Sequence, residues 1–338
     1  MSTTTQRTST AGVLTALGIA TETTYGSAAA STIYIPFNDH NLAVTNKLIT
    51  NQAVRKSIGM PAPGIGSVEV SGDITTNVDV DTIGPILAAS MGLDTVSGST
   101  GDYTHTFTMV NPLNSHTITA DDGQGTIQQF VGCKVNQLDV SCKTGDYLTV
   151  KAAIMGQTAV VSSASLSPTY STRNFFEFAH LNNVNGGVST VNGITADFTD
   201  FQITLKNNLK EHYGSTGGRF IIGLNETTRQ VSGSFTVEYD NSIANTLNTL
   251  LWGASTGPVA GVLSRVPLVF TFSQPASGGL TPSIAFTVTN ITVQDVAMDR
   301  KRNDIITQSV KFMASESYAG AADDLKIVMT NTAQNPYT

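Results

Sequence analysis

The chain is 338 residues long, with 13% charged residues and a formal net charge of −7, where an ordinary soluble protein carries roughly 25% charge. Residues 1–160 hold 7 basic and 12 acidic residues (net −5) and the remainder 11 and 13 (net −2). There is no basic stripe to clamp phosphates, no apolar run of membrane-spanning length and no cysteine framework, which excludes nucleic-acid clamps, helical membrane proteins and disulfide scaffolds.

Length alone suggests about two domains. Thr, Ser, Asn and Gly replace the missing charge, which suits a β-rich protein whose surface is covered by copies of itself, because interface cores are depleted in charge. An exported adhesin has the same profile. Met1-Ser2-Thr3 opens a polar, threonine-rich segment without the apolar stretch of a signal peptide, so the expectation is assembly in the cytoplasm.

Residues 1–31 read as an N-terminal arm, polar at first, then Leu14-Thr15-Ala16-Leu17-Gly18-Ile19. A weak strand is expected over Thr32–Phe37, and residues 41–50 alternate through Leu42, Val44 and Leu48. Gly59-Met60-Pro61-Ala62-Pro63-Gly64 forbids regular structure, and loops of this length in compact domains are commonly functional. The clearest strand runs from Val68 to Val80. Val68, Val70, Gly72, Ile74, Val78 and Val80 share one face; Glu69, Ser71, Asp73, Thr75, Asn77 and Asp79 share the other.

That segment occurs twice. Val70-Ser71-Gly72 returns as Val231-Ser232-Gly233, an offset of 161 (72 to 233), and Gly92 returns as Gly253. In the second copy Val231, Gly233, Phe235, Val237 and Tyr239 face the core, while Gln230, Ser232, Ser234, Thr236, Glu238 and Asp240 face away. Neither outward strand face carries a cation. Asp146-Tyr147-Leu148-Thr149 answers Asp304-Ile305-Ile306-Thr307 at an offset of 158 (146 to 304). A long-period duplication means two copies of one folding unit, of the kind that builds symmetric assemblies.

A short helix follows each strand, with Asp81, and Asp240 or Asn241, as N-caps. Gly92 and Gly253 act as stops. Ile243, Leu247, Leu250 and Leu251 form an amphipathic stripe, and Pro85 shortens or kinks the first helix unless it lies in the first turn. Strands are then expected at His105–Met109 and Leu268–Phe272. A long hairpin closes each unit: Phe130–Cys142 with Asp146–Met155, and Val288–Met298 with Asp304–Met313. In its first strand the apolar phase slips, from 131, 133 and 135 to 138, 140 and 142, and again between Val293 and Val296. A slip kept in both copies predicts a β-bulge, as a curving sheet requires. A last strand is expected at Leu325–Met329. Mainly β architecture follows: two tandem sandwich or open-barrel domains, each flanked by one short helix. Their bounds are 1–31 for the arm, 32–160 for the first domain, 161–172 for the linker and 173–338 for the second domain with its tail.

Chemistry is sparse. Gly253-Ala254-Ser255-Thr256-Gly257 matches G-x-S-x-G, but a nucleophile elbow needs a strand before it and a helix after. The histidines at 40, 105, 116, 180 and 212 have no metal-like spacing. Asp79-Val80-Asp81 and Asp121-Asp122-Gly123 lack the ligand count of a calcium loop. Arg300-Lys301-Arg302 reads as a solvated turn or a contact with an acidic neighbour. Two sequons, at Asn225 and Asn290, mean nothing without secretion. Cys133 and Cys142 fall in one β segment and read as buried thiols. No enzyme activity, metal or cofactor is expected.

Gly18-Ile19-Ala20-Thr21-Glu22-Thr23-Thr24-Tyr25-Gly26, the loop with Pro61 and Pro63, and the Val70-Ser71-Gly72 strand leading to a helix ending at Met91-Gly92 resemble the major tail tube proteins of long, non-contractile-tailed bacteriophages. The likeness rests on order and spacing, covers the first unit and reaches the second through the repeat, which lacks the Glu-Thr-Thr-Tyr-Gly signature. The resemblance implies sandwiches whose inner sheets join into a ring around a pore. It also implies rings that stack through arms and long loops, and six tube domains per ring, hence three chains. It implies as partners other copies of the chain, a tape-measure protein, tail-tip or terminator proteins, and passing double-stranded DNA without specific binding. The expected location is the virion tail, after assembly in the host bacterial cytoplasm.

On that basis Glu69, Asp73, Asp79, Glu238 and Asp240 are expected at the lumen, where carboxylates and hydroxyls let DNA slide and cations would make it stick. Glu22, Tyr25, Arg55, Lys56, Lys210, His212 and Arg219, from the arm and the Asn51–Gly66 and Asn207–Gly223 loops, are expected at inter-ring contacts. Removing residues 1–25 is expected to leave the sandwiches folded and to abolish tubes. The alternatives are a two-domain adhesin or carbohydrate-binding protein, disfavoured by the single Trp252, and another virion component such as a head-decoration or tail-terminator protein.

Overall fold

A computed structural model describes residues 12–99, 101–123, 125, 127–162, 166–170, 175–181, 188–259, 264–276, 279–300, 302, 304–314 and 324–337. The first eleven residues of the expected arm, linker residues 163–165 and 171–172, and Lys301 lie outside the described residues. In the first half the strands are β1 (Ala16–Thr21), β2 (Ile33–Tyr34), β3 (Asp39–His40), β4 (Ala43–Ile49) and β5 (Gly64–Asn77). Helix α1 (Gly84–Met91) follows, then β6 (Gly92–Ser99), β7 (Asp102–Met109), β8 (His116–Asp121), β9 (Ile127–Lys143), β10 (Thr149–Gly156) and β11 (Thr158–Ser162). The second half contains β12 (Thr190–Val191), β13 (Ile194–Thr195), β14 (Phe198–Lys206), β15 (Lys210–His212), β16 (Gly223–Asn225) and β17 (Gln230–Glu238). Helix α2 (Asn241–Trp252), β18 (Val266–Ser273), β19 (Ser283–Asp299), β20 (Thr307–Ala314) and β21 (Leu325–Asn331) complete it.

The organising elements are β9 and β19, two 17-residue strands that each serve two sheets. The N-terminal half of β9 pairs with β8 and β11 in an outer sheet, and its C-terminal half with β10 in the inner sheet. The crossover, between Cys133 and Lys134, lies just ahead of the bulge that the apolar phase slip predicts. Ile154 faces Val135 and Ala153 faces Gln137, so Asn136 is the extra residue; in β19 Phe312 faces Val293 and Lys311 faces Asp295, leaving Gln294. A bulge bends its strand, so each unit folds into a two-layer sandwich. The inner layer runs β4-β5-β10-β9-β14-β17-β20-β19 and spans both halves. The outer layers are β2-β1-β8-β9-β11 in the first half and β13-β12-β18-β19-β21-β7-β6 in the second.

Three expectations are corrected here. Residues 16–21 are no arm: β1 pairs with β8 from Ala16 opposite Asp121 to Thr21 opposite His116, and its first five residues are buried. A strand buried on both faces shows no alternation, which is why the sequence hides it. The partner of Leu268–Phe272 in the repeat is β8, not His105–Met109. Like β18, β8 forms the hairpin with its long strand, whereas the β6–β7 hairpin crosses over and pairs with β21 of the second half. Asp81 does not cap α1. The helix begins after Ile83 with no side-chain cap and with proline in its first turn, where Pro needs no donor.

Helix α2 is as expected: the Asp240 carboxylate accepts from Ser242 N at 3.3 Å and Gly253 ends the helix at φ 82°. Its stripe of Ile243, Leu247 and Leu250 is buried. Helix α1 differs because it is buried on every side. The C-terminal tail covers it closely enough that a Cβ on Gly84 would stand 2.3 Å from the Tyr337 ring. The second core is aromatic, with Phe201 stacked on Phe270 at 4.1 Å between centroids and Phe198 edge-on at 4.9 Å. Phe176, just past the expected linker, is fully buried, donates its backbone N–H to the Val78 carbonyl and meets Phe272 edge-on with its ring, so one residue ties both halves.

Glu22 shows what holds β1 in place. Its carboxylate, 8% exposed, accepts from Gly26 N (2.8 Å), Ser115 Oγ (2.7 Å), Thr117 Oγ1 (2.9 Å) and Gly132 N (2.8 Å). Glu22→Ala strands those buried donors, so a loss of about 2–4 kcal/mol is expected in chemical denaturation. Removing residues 1–25 takes away β1 as well, and loss of the first half's cooperative unfolding transition is the expected outcome. His116 adds a pH dependence. Burial, with a smaller push from Lys134, lowers its pKa to about 4, so the neutral ring's contribution is present above the unfolded value of about 6.5 and is lost as pH falls from there toward 4. The melting temperature should drop over that window, and His116→Asn should flatten the drop.

Candidate functional site: a polar sheet face between two open edges

Cross-strand register places Glu69, Asp73, Thr75, Lys151, Asp139, Gln202, Thr204, Ser234 and Thr236 on one face of the inner sheet, opposite the buried face of Val70, Ile74, Val140 and Phe235. The lysines absent from β5 and β17 arrive on neighbouring strands; four of them are matched to carboxylates, while Lys206 stands exposed opposite Gln137 and Gln230. Lys151 stands opposite Asp139 and reaches Asp73 at 2.9 Å. Lys143 stands opposite Asp200, and Lys311 opposite Asp295. Lys47 pairs with Glu69. The face is therefore hydroxyl- and amide-rich with interleaved charges of both signs. The Asp73 hydrogen bond and charge raise the Lys151 pKa, and the Glu69 hydrogen bond raises that of Lys47, so both lysines stay charged.

In the middle of this sheet the two halves meet. Strand β9 pairs with β14 over seven residues, from Lys143 opposite Asp200 to Gln137 opposite Lys206. Thr204 Oγ1 donates to Asp139 at 2.6 Å on the polar face. At the bulge Asn207 N donates to the Asn136 carbonyl and Leu209 N to Asn136 Oδ1. Asn207 Nδ2 donates to the carbonyls of Ser90 (3.0 Å) and Val135 (2.9 Å). A buried ion pair completes the junction: Lys134 Nζ reaches Glu226 Oε1 at 2.9 Å and the Leu224 carbonyl at 2.8 Å, and Leu113 N donates to the same carboxylate oxygen. Burial opposes charge on Glu226, but the Lys134 hydrogen bond and the backbone donors outweigh it and hold its pKa below the usual value. The loop after β15 leans back on the first half, where Arg219 Nη2 donates to Asn46 Oδ1 (2.6 Å) and the Arg219 carbonyl accepts from Val68 N (2.9 Å).

The sheet ends at β4 on one side and at the C-terminal half of β19 on the other; neither has a strand on its outer side among the described residues. Every residue of β4 is exposed. Beyond it, residues 50–60 and 62–65 are exposed, with Val54, Ile58 and Met60 extended into solvent. An open edge with apolar side chains is a template for another strand.

A family model for the phage tail tube protein matches residues 12–314. The chain belongs to that family. No curated protein matches it. As a tail tube protein it is a structural component of the virion tail, built to assemble with itself.

Of the residues expected at the lumen of the tail tube, Glu69, Asp73 and Glu238 lie on the polar face. Asp240 lies beyond the strand end as the α2 cap. Asp79 is a correction: it is 2% exposed, and its Oδ1 accepts from Asp81 N at 3.2 Å in the turn before α1, because β5 ends at Asn77 and the alternation stops with it. Of the residues expected between rings, Glu22 is the buried hub of the 22–26 turn, a second correction. Tyr25 is half-buried beside Gly132, and burial, with the neighbouring Cys133 and Glu22, raises its pKa. Arg219 is taken up by Asn46 within the chain. Arg55, Lys56, Lys210 and His212 are exposed. Ser255 of the G-x-S-x-G run sits in a turn after α2. No helix among the described residues is long and apolar enough to cross a membrane.

The sequence reading passed over the matched lysines and the Asn207 junction. The signal for the second was present, because the offset of 161 continues upstream, from Asn46 to Asn207 and from Leu48 to Leu209. Glu226→Ala leaves the Lys134 ammonium buried without its counter-ion, for an expected cost of about 3–5 kcal/mol, while Lys134→Met combined with Glu226→Leu should recover most of it; urea unfolding of the three proteins checks both.

Proposed function

We propose that this protein polymerises into stacked rings of three chains, six sandwich units around one pore, forming the tail tube of a long, non-contractile-tailed phage through which double-stranded DNA passes on ejection. One observation carries the reading: a continuous inner sheet made from two alike units, already joined edge to edge, with one open edge of each kind left over. Closing such edges against further copies satisfies them without limit on either unit. Family membership supplies the tube; pseudo-sixfold symmetry follows if each unit takes one place in the ring.

The polar face, with Glu69, Asp73 and Glu238, lines the pore in this reading. Unpaired lysines there would release counter-ions from DNA and bind it. Of the described lysines there, only Lys206 lacks a carboxylate opposite it; the matched ones offer phosphates little net attraction, so the duplex slides. The exposed 51–63 loop, with Arg55 and Lys56, bridges to the next ring together with residues ahead of β1, and a tape-measure protein and tail-tip or terminator proteins set length and ends. The chain stays soluble in the host cytoplasm until nucleated.

Negative-stain microscopy of the purified protein should show filaments with a central channel; monomers that stay dispersed at every concentration and salt would sink the reading. Replacing residues 52–62 with a short Gly-Ser linker should leave rings that do not stack. Asp73→Asn with Asp139→Asn, which frees Lys151, should raise the affinity of assembled tubes for duplex DNA at low salt and make it fall with added salt.

A further inference from the structure

We infer that β4 of one chain pairs antiparallel with the C-terminal half of β19 of a second copy, in the register that sets Ala43 opposite the partner's Ala297, Val44 opposite the partner's Val296 and Leu42 opposite the partner's Met298. The pairing rests on the ring reading above and adds to it which residues meet.

The register comes from the junction inside the chain. On one side of that junction, β14 is the counterpart of β4 at an offset of 161: Ala43 faces Ser71 in β5 as Thr204 faces Ser232 in β17. On the other side, β19 is the counterpart of β9 at an offset of 158: Val140 faces Val150 as Met298 faces Gln308, and the bulges coincide at Asn136 and Gln294. Inside the chain Thr204 faces Asp139, Leu205 faces Leu138 and Ile203 faces Val140. Carrying both offsets to the open edges gives the three pairs above, and apolar again meets apolar on the core face while small residues meet on the polar face. A slip of one residue would turn every side chain to the wrong face.

Burial shows what is missing. Leu205 is fully buried and Leu209 is 9% exposed, while their counterparts Val44 and Leu48 are 40% and 61% exposed. Leu138 and Val140 are buried, while Val296 and Met298 are only half-buried. The side chains are apolar at the same positions, and only the neighbour differs. Asn46 repeats Asn207, whose amide spans the junction to the carbonyl before the bulge; in the second copy that carbonyl belongs to the partner's Val293.

Cysteine pairs test the register in assembled tubes. Ala43→Cys with Ala297→Cys changes two small exposed residues, and the native Cys133 and Cys142 are buried. Mild oxidation should give a reducible ladder ending in a closed covalent trimer. Ala43→Cys paired with Asp295→Cys or with Asp299→Cys, two residues off register on the same face, should cross-link at least about tenfold less, because disulfide geometry tolerates only a short Cβ separation. Normal tubes with no cross-link at 43/297, or with a better one in a shifted pair, would overturn the pairing and leave the ring reading standing. Failure of the unsubstituted chain to assemble at all would overturn both.

Discussion

A β-strand has two edges, and each carries a row of donors and acceptors that must be satisfied. In this tail tube protein the C-terminal half of β9 has both edges paired, by β10 and by β14. The equivalent stretch of β19 has one edge paired, by β20. The same sequence pattern thus appears once with its neighbour and once without it. From that single inequality follow the exposure of β4, the half-burial of Val296 and Met298, and the self-association that the family requires.

The junction inside the chain is more than backbone pairing. Where a strand ladder would run out, Asn207, just past the end of β14, donates its N–H to the carbonyl of Asn136, pushed out by the bulge, and its side-chain amide to the Val135 carbonyl, while Asn136 Oδ1 accepts from Leu209 N. The Lys134–Glu226 pair lies next to them with almost no water contact. Buried polar groups of this kind contribute little net stability, but they penalise any misplacement heavily. They hold one unit at a definite angle to the next, and in a ring the angle between neighbours decides whether the circle closes. The bulge therefore serves twice, bending the strand between layers and presenting an amide to the adjoining unit.

Much of this was legible beforehand. The faces of β5 and β17, both bulges and the α2 cap are all local patterns, and local patterns survive folding. What escaped was non-local or unpatterned. Strand β1 is covered on both faces and so carries no period. The lysines of the polar face could not be assigned from β5 and β17 alone, since they belong to strands whose neighbours only topology supplies. Asp79 was misplaced because alternation was carried two residues past the end of β5 into a turn, where side-chain direction no longer obeys it. Glu22 falls in the expected arm because nothing in Glu-Thr-Thr-Tyr-Gly announces that four donors, from Ser115, β8, β9 and its own turn, converge on it.

The β6–β7 hairpin breaks the likeness between the halves. It leaves the first unit to complete the outer sheet of the second, while the matching stretch of the second half, between α2 and β18, has no hairpin among its described residues. Val160 and Val161 of β11, at the corresponding outer edge, are exposed. A ring of three such chains would present six near-identical staves to the DNA but only three identical faces to the outside. Whatever grips the tail's exterior would find footholds every third of a turn, and the bore and the bark of the same cylinder would obey different symmetries.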